Sequence, residues 1–576
     1  MNFSQRRAKI VATIGPASSE LSIIENLIRT GVDVFRFNFS HGTHADHLAR
    51  LQLVRQAAKN IDKPVAILQD LQGPKLRVGR FPSGSITLEK SAEVFFSYEK
   101  DRTFVAEQKE GTPPSIYYNY EPLAREIRVG HRLLMDDGNI EVVVTETDNK
   151  DIIKAQVVFG GVLKDHKGMN FPDTRLSIQS FTKKDREDLF FGLENDVDYI
   201  ALSFVRTAED IRDLKKLMHA HRKNVPVVAK IEMADAIKNI KEILDVTDAV
   251  MVARGDLAVE VGTAKVPALQ KEIIKLANAR GIPVITATQM LESMISTPRP
   301  TRAEASDVAN AVLDGSDAVM LSAESASGKF PVLAVSVMVN IILETEQRQI
   351  SLLGERSMTP PLASETTVVE AVEYAATGLV RAIGAKAAVC VTHTGESAVA
   401  LSRFRPACPI FAFTDSHAVA RRLSLVWGVT SRVLDSSNQS DTVEALLAHA
   451  EFELVKERIA DKGDLLVCSA GSPPLKHGST NLLKVVKVNV SQESILSPQT
   501  PEKEDVSGYR TRNAQFVIDH NLCTQCGGCI EVCPNDIFGI ENRKVYLKES
   551  NCRNCTFDNA CMEICPTNAI EVMKLK

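Results

Sequence analysis

Lys230 and Glu232 stand one residue apart where an apolar run stops, and Arg254, Gly255 and Asp256 close the next such run. Other runs end in Arg36, Asn38, Ser40 and His41, in Asp70, in Thr286, Thr288 and Gln289, and in Ser322 and Glu324. Charges at the ends of so many apolar segments would be costly to bury without partners. Acids beside cations suit an oxygen-ligated Mg²⁺ and a phosphate. The same residues would also serve as ion pairs closing a rim. A second chemistry lies in the cysteines. The chain has 11, and the eight that follow Asn521 fall between Cys523 and Cys565. Crowded thiols point to a metal group rather than to scattered disulfide staples.

These residues need a frame. Eight apolar, β-rich runs are read as strands: Lys9–Gly15, Val32–Ser40, Pro64–Asp70, Tyr199–Val205, Val227–Glu232, Ala249–Asp256, Pro283–Gln289 and Ala318–Glu324. Most are continuous rather than alternating, as parallel strands buried on both faces must be. Amphipathic helices stand between them, such as SELSIIENLIRTG, with Ile23, Ile24, Leu27 and Ile28 on one face and Gly31 at its stop. Eight βα units predict a TIM barrel, whose chemistry sits at the C-terminal ends of its strands.

The barrel is expected over 1–71 and 171–345. Antiparallel runs between them (SITLEK, EVFFSYE, RLLMDD, NIEVVVTE) read as an inserted small β-barrel domain over 72–170, with a hairpin at Asp136-Asp137-Gly138-Asn139. A second α/β domain is expected over 355–490. The stretch 491–508 is rich in Ser, Pro and Glu and reads as a linker. The tail, 509–576, repeats internally: LCTQCGGCIEVCPNDI matches NCRNC and CMEICPTNAI.

The fold class is therefore α/β, with an α+β tail. A net charge of −5 gives no support for nucleic-acid binding. No apolar run approaches the roughly 18 residues a membrane helix needs. The start carries basic residues without an apolar core behind them, so no signal peptide is read and a cytoplasmic protein is expected.

The chain up to about residue 490 closely resembles pyruvate kinase. The matching runs are KIVATIGPAS, FRFNFSHGTH, QDLQGPKLR, MDDG, HKGMNFP, AKIE, MVARGDLAVE, ATQMLESM and PTRAEASDVANAVLDGSDAVMLSAES. The resemblance implies phosphoryl transfer from phosphoenolpyruvate to ADP in glycolysis, giving pyruvate and ATP. It implies that Lys230 stabilises the phosphoryl in flight, and that Glu232 and Asp256 hold Mg²⁺ or Mn²⁺. Arg36, Gly255, Asp256 and Thr288 would meet phosphoenolpyruvate, with Thr288 near the carbon that takes a proton. Asn38, His41, Arg77 and Lys167 would face the nucleotide, and the inserted domain would close as a lid. It also implies a homotetramer.

Two features depart from the family pattern. Many members read Thr-Lys-Gly-Pro-Glu where this chain has Leu71-Gln72-Gly73-Pro74-Lys75. Members with the Glu need K⁺, held near the positions of Asn38, Ser40 and Asp70. Lys75 brings its own ammonium there, so activity without K⁺ is expected, unless Lys75 points into solvent. SAES replaces the common SGET and is not interpreted. His41, His44 and His47 are spaced by three, but the HGTH run belongs to the family's nucleotide side, so they are not read as metal ligands. Thr392, Thr394, Gly395 and Ser397 join a strand to a helix start, where the family binds phosphorylated effectors; the bland alternative is a helix cap.

The run Cys523-x2-Cys526-x2-Cys529-x3-Cys533-Pro resembles the bacterial ferredoxin pattern, and Cys552, Cys555, Cys561 and Cys565 form a second copy with a longer middle spacing. The resemblance implies two 4Fe–4S clusters, one on Cys523, Cys526, Cys529 and Cys565, the other on Cys552, Cys555, Cys561 and Cys533. Zinc is the alternative metal. Cys390, Cys408 and Cys468 are read as buried apolar residues. The kinase reaction moves no electrons. The tail therefore reads as a redox sensor, as an electron-transfer module that meets a redox partner protein, or, with a catalytically silent kinase scaffold, as a tethered electron carrier.

Overall fold

The computed structural model describes residues 6–98, 113–353, 366–434, 442–475, 478, 480–490, 506–510, 514–519, 538–541, 544–547 and 570–574. Eight strands close a parallel barrel: β1 (Lys9–Thr13), β2 (Val34–Asn38), β3 (Ala66–Asp70), β4 (Tyr199–Leu202), β5 (Val227–Ile231), β6 (Ala249–Ala253), β7 (Val284–Ala287) and β8 (Ala318–Leu321). Each strand neighbours the next in chain order, and β8 returns to β1. The continuous apolar runs are why. In β1, β3 and β6 every residue is buried, which only a sheet covered on both faces allows.

Every barrel strand except β3 stops short of its expected end, and several of these differences move candidate site residues off the strands. β6 ends at Ala253, and Arg254–Val261 is a helix, so Arg254, Gly255 and Asp256 form its first turn. β8 ends at Leu321, with Glu324 in the short helix Ala323–Ala326. β2 ends at Asn38, which leaves Ser40 and His41 in the following turn. An apolar strand and an immediate helix start share one unbroken run of sequence, so the boundary carries no turn residue to mark it.

The chain divides into two compact units. The first comprises Met1–Gln69, Asn195–Ile200 and Ile274–Lys576. In it, Lys9 to Ala12 pair with Ala318 to Leu321, and Val11 to Thr13 with Val34 to Arg36. The predicted helix appears as Leu21–Thr30, burying Ile24, Leu27 and Ile28 but leaving Ile23 only half-buried, and stops where Gly31 takes φ 138°. The α/β region carries a five-stranded sheet in the order Val429–Val433, Ile410–Thr414, Ala387–Val391, Leu465–Gly471, Thr480–Lys487, with only the last strand antiparallel. Cys390, Cys408 and Cys468 are free thiols buried in it. Burial pushes Cys408 and Cys468 up to about 12, so they stay protonated and act as apolar filling. In the tail, Val506–Arg510, Ala514–Asp519 and Ile570–Lys574 form an antiparallel sheet, and Phe538–Glu541 pairs with Lys544–Leu547. The first of these strands begins inside the stretch read as linker; its alternating Val506 and Gly508 lie too close to the Pro- and Glu-rich segment to be separated from it by composition. The eight tail cysteines lie outside the described residues.

The second unit comprises Asp70–Glu194 and Ala201–Ile273. Its inserted β domain has a six-stranded sheet around a core that includes Val94, Phe96, Leu133, Val142, Ile153 and Val157. The expected hairpin is present: Met135 pairs with Ile140, and Asp136, Asp137 and Gly138 take φ of 52°, 56° and 86°. SITLEK contributes Ser85–Leu88 to a separate pair with Gly161–Lys164. The packing of this domain runs on past residue 170, through Phe171, Leu176 and Ile178.

Candidate active site

In the second unit the strand ends bring four of the expected residues together. Lys230, the fourth residue of β5, is largely shielded from water, and its Nζ lies 2.9 Å from Glu232 Oε1 and 3.1 Å from Asp70 Oδ1. It also donates to Ser203 Oγ at 2.7 Å, and that hydroxyl donates to the Leu71 carbonyl at 2.7 Å. The second Glu232 oxygen accepts the Phe204 backbone N–H at 2.8 Å. Phe204 holds φ 55° to present it. Burial pushes the Glu232 carboxyl up; the Lys230 ammonium pulls it down, and the nearby Asp256 carboxylate pushes it up again. The Glu232 and Asp256 carboxylates form an all-oxygen donor set of the kind a hard divalent cation prefers.

Asp256 lies in the first turn of Arg254–Val261, where its charge favours the helix dipole. One turn later on that helix, Glu260 is pushed up to about 7 by burial, while a hydrogen bond from the Asn170 side chain and the Arg206 charge pull it down. Sequence reading missed Glu260. Its only signal is the spacing of four from Asp256.

The nucleotide-side candidates of this unit sit on the inserted domain. Lys167 Nζ pairs with Asp136 at 2.6 Å, at the hairpin. Arg77 bridges to Gly168 in the backbone and donates to the His166 carbonyl at 2.9 Å. Lys75 is half-buried; its Cε lies 3.0 Å from where a Cβ on Gly168 would stand, so its stem runs over that backbone.

In the first unit, Arg36 donates to Thr13 Oγ1 at 3.1 Å, which holds it across the mouth of β1 and β2. Asn38 Oδ1 accepts the Ser40 N–H at 3.1 Å and shapes the turn that leads to His41. The His41 carbonyl meets His47 Nε2 at 2.9 Å, and the His47 ring stacks on Phe39 with centroids 4.0 Å apart. His47 is thus a packed, hydrogen-bonded residue. Thr288 and Gln289, just after β7, take φ of 70° and 55°. For a β-branched residue this conformation costs about 1–3 kcal/mol, and such strain is retained where geometry matters more than stability. Glu324 holds the loop that follows: it accepts N–H bonds from Leu291 at 3.1 Å and Ser322 at 2.7 Å. Glu324 is therefore a buried brace, with its carboxyl pushed up by burial.

The effector candidates lie at the start of the helix Glu396–Arg403. Gly395, with φ 88°, donates its N–H to Thr392 Oγ1 at 3.0 Å, and Glu396 donates to Thr394 Oγ1 at 3.4 Å. The Ser397 hydroxyl is bonded to Thr480 Oγ1 at 2.6 Å in a buried contact. His393 Nδ1 lies 2.9 Å from both oxygens of Asp415.

Residues 5–335 match the family profile described as pyruvate kinase, barrel domain, and residues 370–486 match pyruvate kinase, alpha/beta domain. Residues 515–566 match a 4Fe-4S dicluster domain. The chain is 46% identical over 485 residues to pyruvate kinase 2 of Synechocystis sp., covering 83% of this chain and 79% of that protein. It is 42% identical over 483 residues to pyruvate kinase of Staphylococcus aureus, covering 83% and 80%. The crystal structure of a pyruvate kinase from Cryptosporidium parvum superposes with a TM-score of 0.76 at 34% identity, over 84% of this chain and 97% of that one. With the closed barrel and the Lys230 cluster, these likenesses carry the same conclusion: the chain belongs to the pyruvate kinase family and bears a 4Fe-4S dicluster domain at its C-terminal end.

Proposed function

We propose that this protein transfers the phosphoryl group of phosphoenolpyruvate to ADP, and that the observation carrying this reading is Lys230 shielded between Asp70 and Glu232. Lys230, paired with two carboxylates, offers a fixed positive charge to the phosphoryl group in flight. It acts by electrostatics, not as a base. Glu232 and Asp256 would hold Mg²⁺ or Mn²⁺, which when bound would offset charge on the phosphoryl and enolate oxygens. Arg36 and the first turn at Gly255 and Asp256 bind the anionic substrate. Thr288, held in its left-handed conformation, orients the proton delivered to the enolate carbon. Asn38, His41, Arg77 and Lys167 bind the nucleotide. Closure of the inserted domain excludes water, the competing acceptor.

Lys75 replaces a carboxylate near the K⁺ positions Asn38, Ser40 and Asp70, and its fixed ammonium supports turnover without K⁺. The loop at Thr392, Thr394, Gly395 and Ser397 takes a phosphorylated effector, with Thr394 and the first helical turn as the contact. The chain works as a cytoplasmic homotetramer. Eight thiols in two runs match two 4Fe–4S clusters, whose role is to sense redox state or to pass electrons to a partner protein. Removing residues 491–576 tests that role. If the clusters sense, the difference in ATP formation between reduced and oxidised protein vanishes with the tail. If they tether, ATP formation by the isolated enzyme does not change.

A further inference from the structure

We propose that Ser203 is a positioning residue for phosphoryl transfer: its hydroxyl, locked on the Leu71 carbonyl, aims the Lys230 ammonium that the two neighbouring carboxylates only attract. The inference rests on the kinase reading above and adds a residue to it. Lys230 Nζ stands among three oxygens of the second unit. Ser203 Oγ is the nearest at 2.7 Å, with Glu232 Oε1 at 2.9 Å and Asp70 Oδ1 at 3.1 Å. The carboxylates supply Coulomb attraction, which has little preference for direction. A lysine is a compact charge on a flexible four-carbon stem, so attraction alone leaves it room to swing between two acids. A hydroxyl has one proton to give and lone pairs to receive with. Ser203 gives its proton to the Leu71 carbonyl at 2.7 Å. Its rotor is thereby fixed, and a lone pair is left facing Lys230.

The backbone holds that hydroxyl still. Ser203 follows β4 and is 1% exposed. Leu71 follows β3, and its N–H donates to the Ala201 carbonyl at 3.0 Å, so the two partners hang from laced strand ends. Gly73, with φ 68°, lies against the same corner: a Cβ there would stand 2.7 Å from Phe204 Cδ2 and 2.9 Å from Ser203 Cβ. The Gly73 N–H is itself anchored on the buried Asp185 carboxylate at 2.9 Å. Phe204, the next residue, gives its N–H to Glu232. One two-residue corner thus serves two members of the site by separate bonds. Ser203 reaches Lys230 through its side chain, and Phe204 reaches Glu232 through its backbone. A side-chain change at 203 therefore frees the lysine and spares the bond to the carboxylate.

The test compares wild type, S203A, S203C and S203T in the full-length protein. It reads turnover, KM for phosphoenolpyruvate, Mn²⁺ affinity by electron paramagnetic resonance, and Tm. For S203A the expected turnover is about ten- to a hundredfold lower, in line with a misplacement of about 1 Å in the lysine. KM and the Mn²⁺ Kd each move less than about threefold, the pattern of an interaction realised in the transition state. S203C fills nearly the same space but hydrogen-bonds weakly, and loses turnover likewise. S203T keeps the hydroxyl and recovers most of the turnover. A serine that served stability alone would lower Tm and leave the turnover of the folded protein unchanged.

Should S203A fold poorly by thermal denaturation, S203C decides the matter. Wild-type turnover in S203A or S203C overturns the aiming role. So does S203T no faster than S203A, or a Mn²⁺ affinity that falls in step with turnover. A wild type that makes no ATP overturns the kinase reading and the aiming role with it.

Discussion

Lys230 Nζ lies 2.9 Å from Glu232 and 3.1 Å from Asp70, and both carboxylates are almost fully buried. One cation therefore holds two acids that would otherwise repel each other in a dry site. Removing it leaves two uncompensated charges and, in the proposed role, deprives the phosphoryl group of its fixed positive partner. For Lys230→Met we expect turnover to fall by at least about a thousandfold. Loss of one partner from a buried pair costs about 3–5 kcal/mol, so the Tm falls too. Added Mg²⁺ should raise the Tm of the variant more than that of the wild type, because the acids then lack their lysine. Scanning calorimetry with and without Mg²⁺ reads this directly, and equal Mg²⁺ responses would contradict the shared-cation account.

The Lys75 stem runs over the Gly168 backbone. Wild-type turnover is expected to differ less than about threefold with and without K⁺, and Lys75→Glu to lose at least about tenfold without it, since about 1.4 kcal/mol of lost charge stabilisation is tenfold in rate. K⁺ added to the variant restores the rate. The check is a steady-state assay in K⁺-free buffer with tetramethylammonium as the counterion. A variant indifferent to K⁺ would remove Lys75 from this role.

Glu373 is fully buried on the helix Val368–Ile383, bonded to Ser469 Oγ at 2.7 Å, and desolvation pushes its carboxyl up to about 8. The folded state thus binds this proton more tightly than the unfolded chain. Its contribution is fully present below the unfolded carboxylate pKa, near 4.5, and is lost as pH rises toward 8. Glu373→Gln mimics the neutral acid and removes that loss. The variant should lose Tm less steeply than wild type between pH 5 and pH 8.5, with a difference of up to roughly 4 kcal/mol at the alkaline end. Parallel Tm curves for the two proteins would mean that Glu373 is not held neutral.

The barrel was legible because its strands are unbroken apolar runs, and Asp136-Asp137-Gly138 announced its hairpin through residues that tolerate positive φ. The Lys230 cluster was legible as residue types at strand ends. What could not be read was which of them touch. Lys230 meets Asp70 across 160 positions of sequence, and no local pattern encodes that. Arg254 to Asp256 were placed on a strand because nothing polar or flexible separates Ala253 from the helix that begins there. Glu324 carries the same type and placement as a catalytic acid, yet it is spent on the Leu291 and Ser322 amides.

The central claim is tested most directly by ATP formation from phosphoenolpyruvate and ADP with Mg²⁺ and without K⁺, on anaerobically purified protein in its oxidised and reduced states. The account predicts turnover in at least one state, abolished by Lys230→Met. Absence of ATP in both states, even with K⁺ and phosphorylated effectors added, would contradict it.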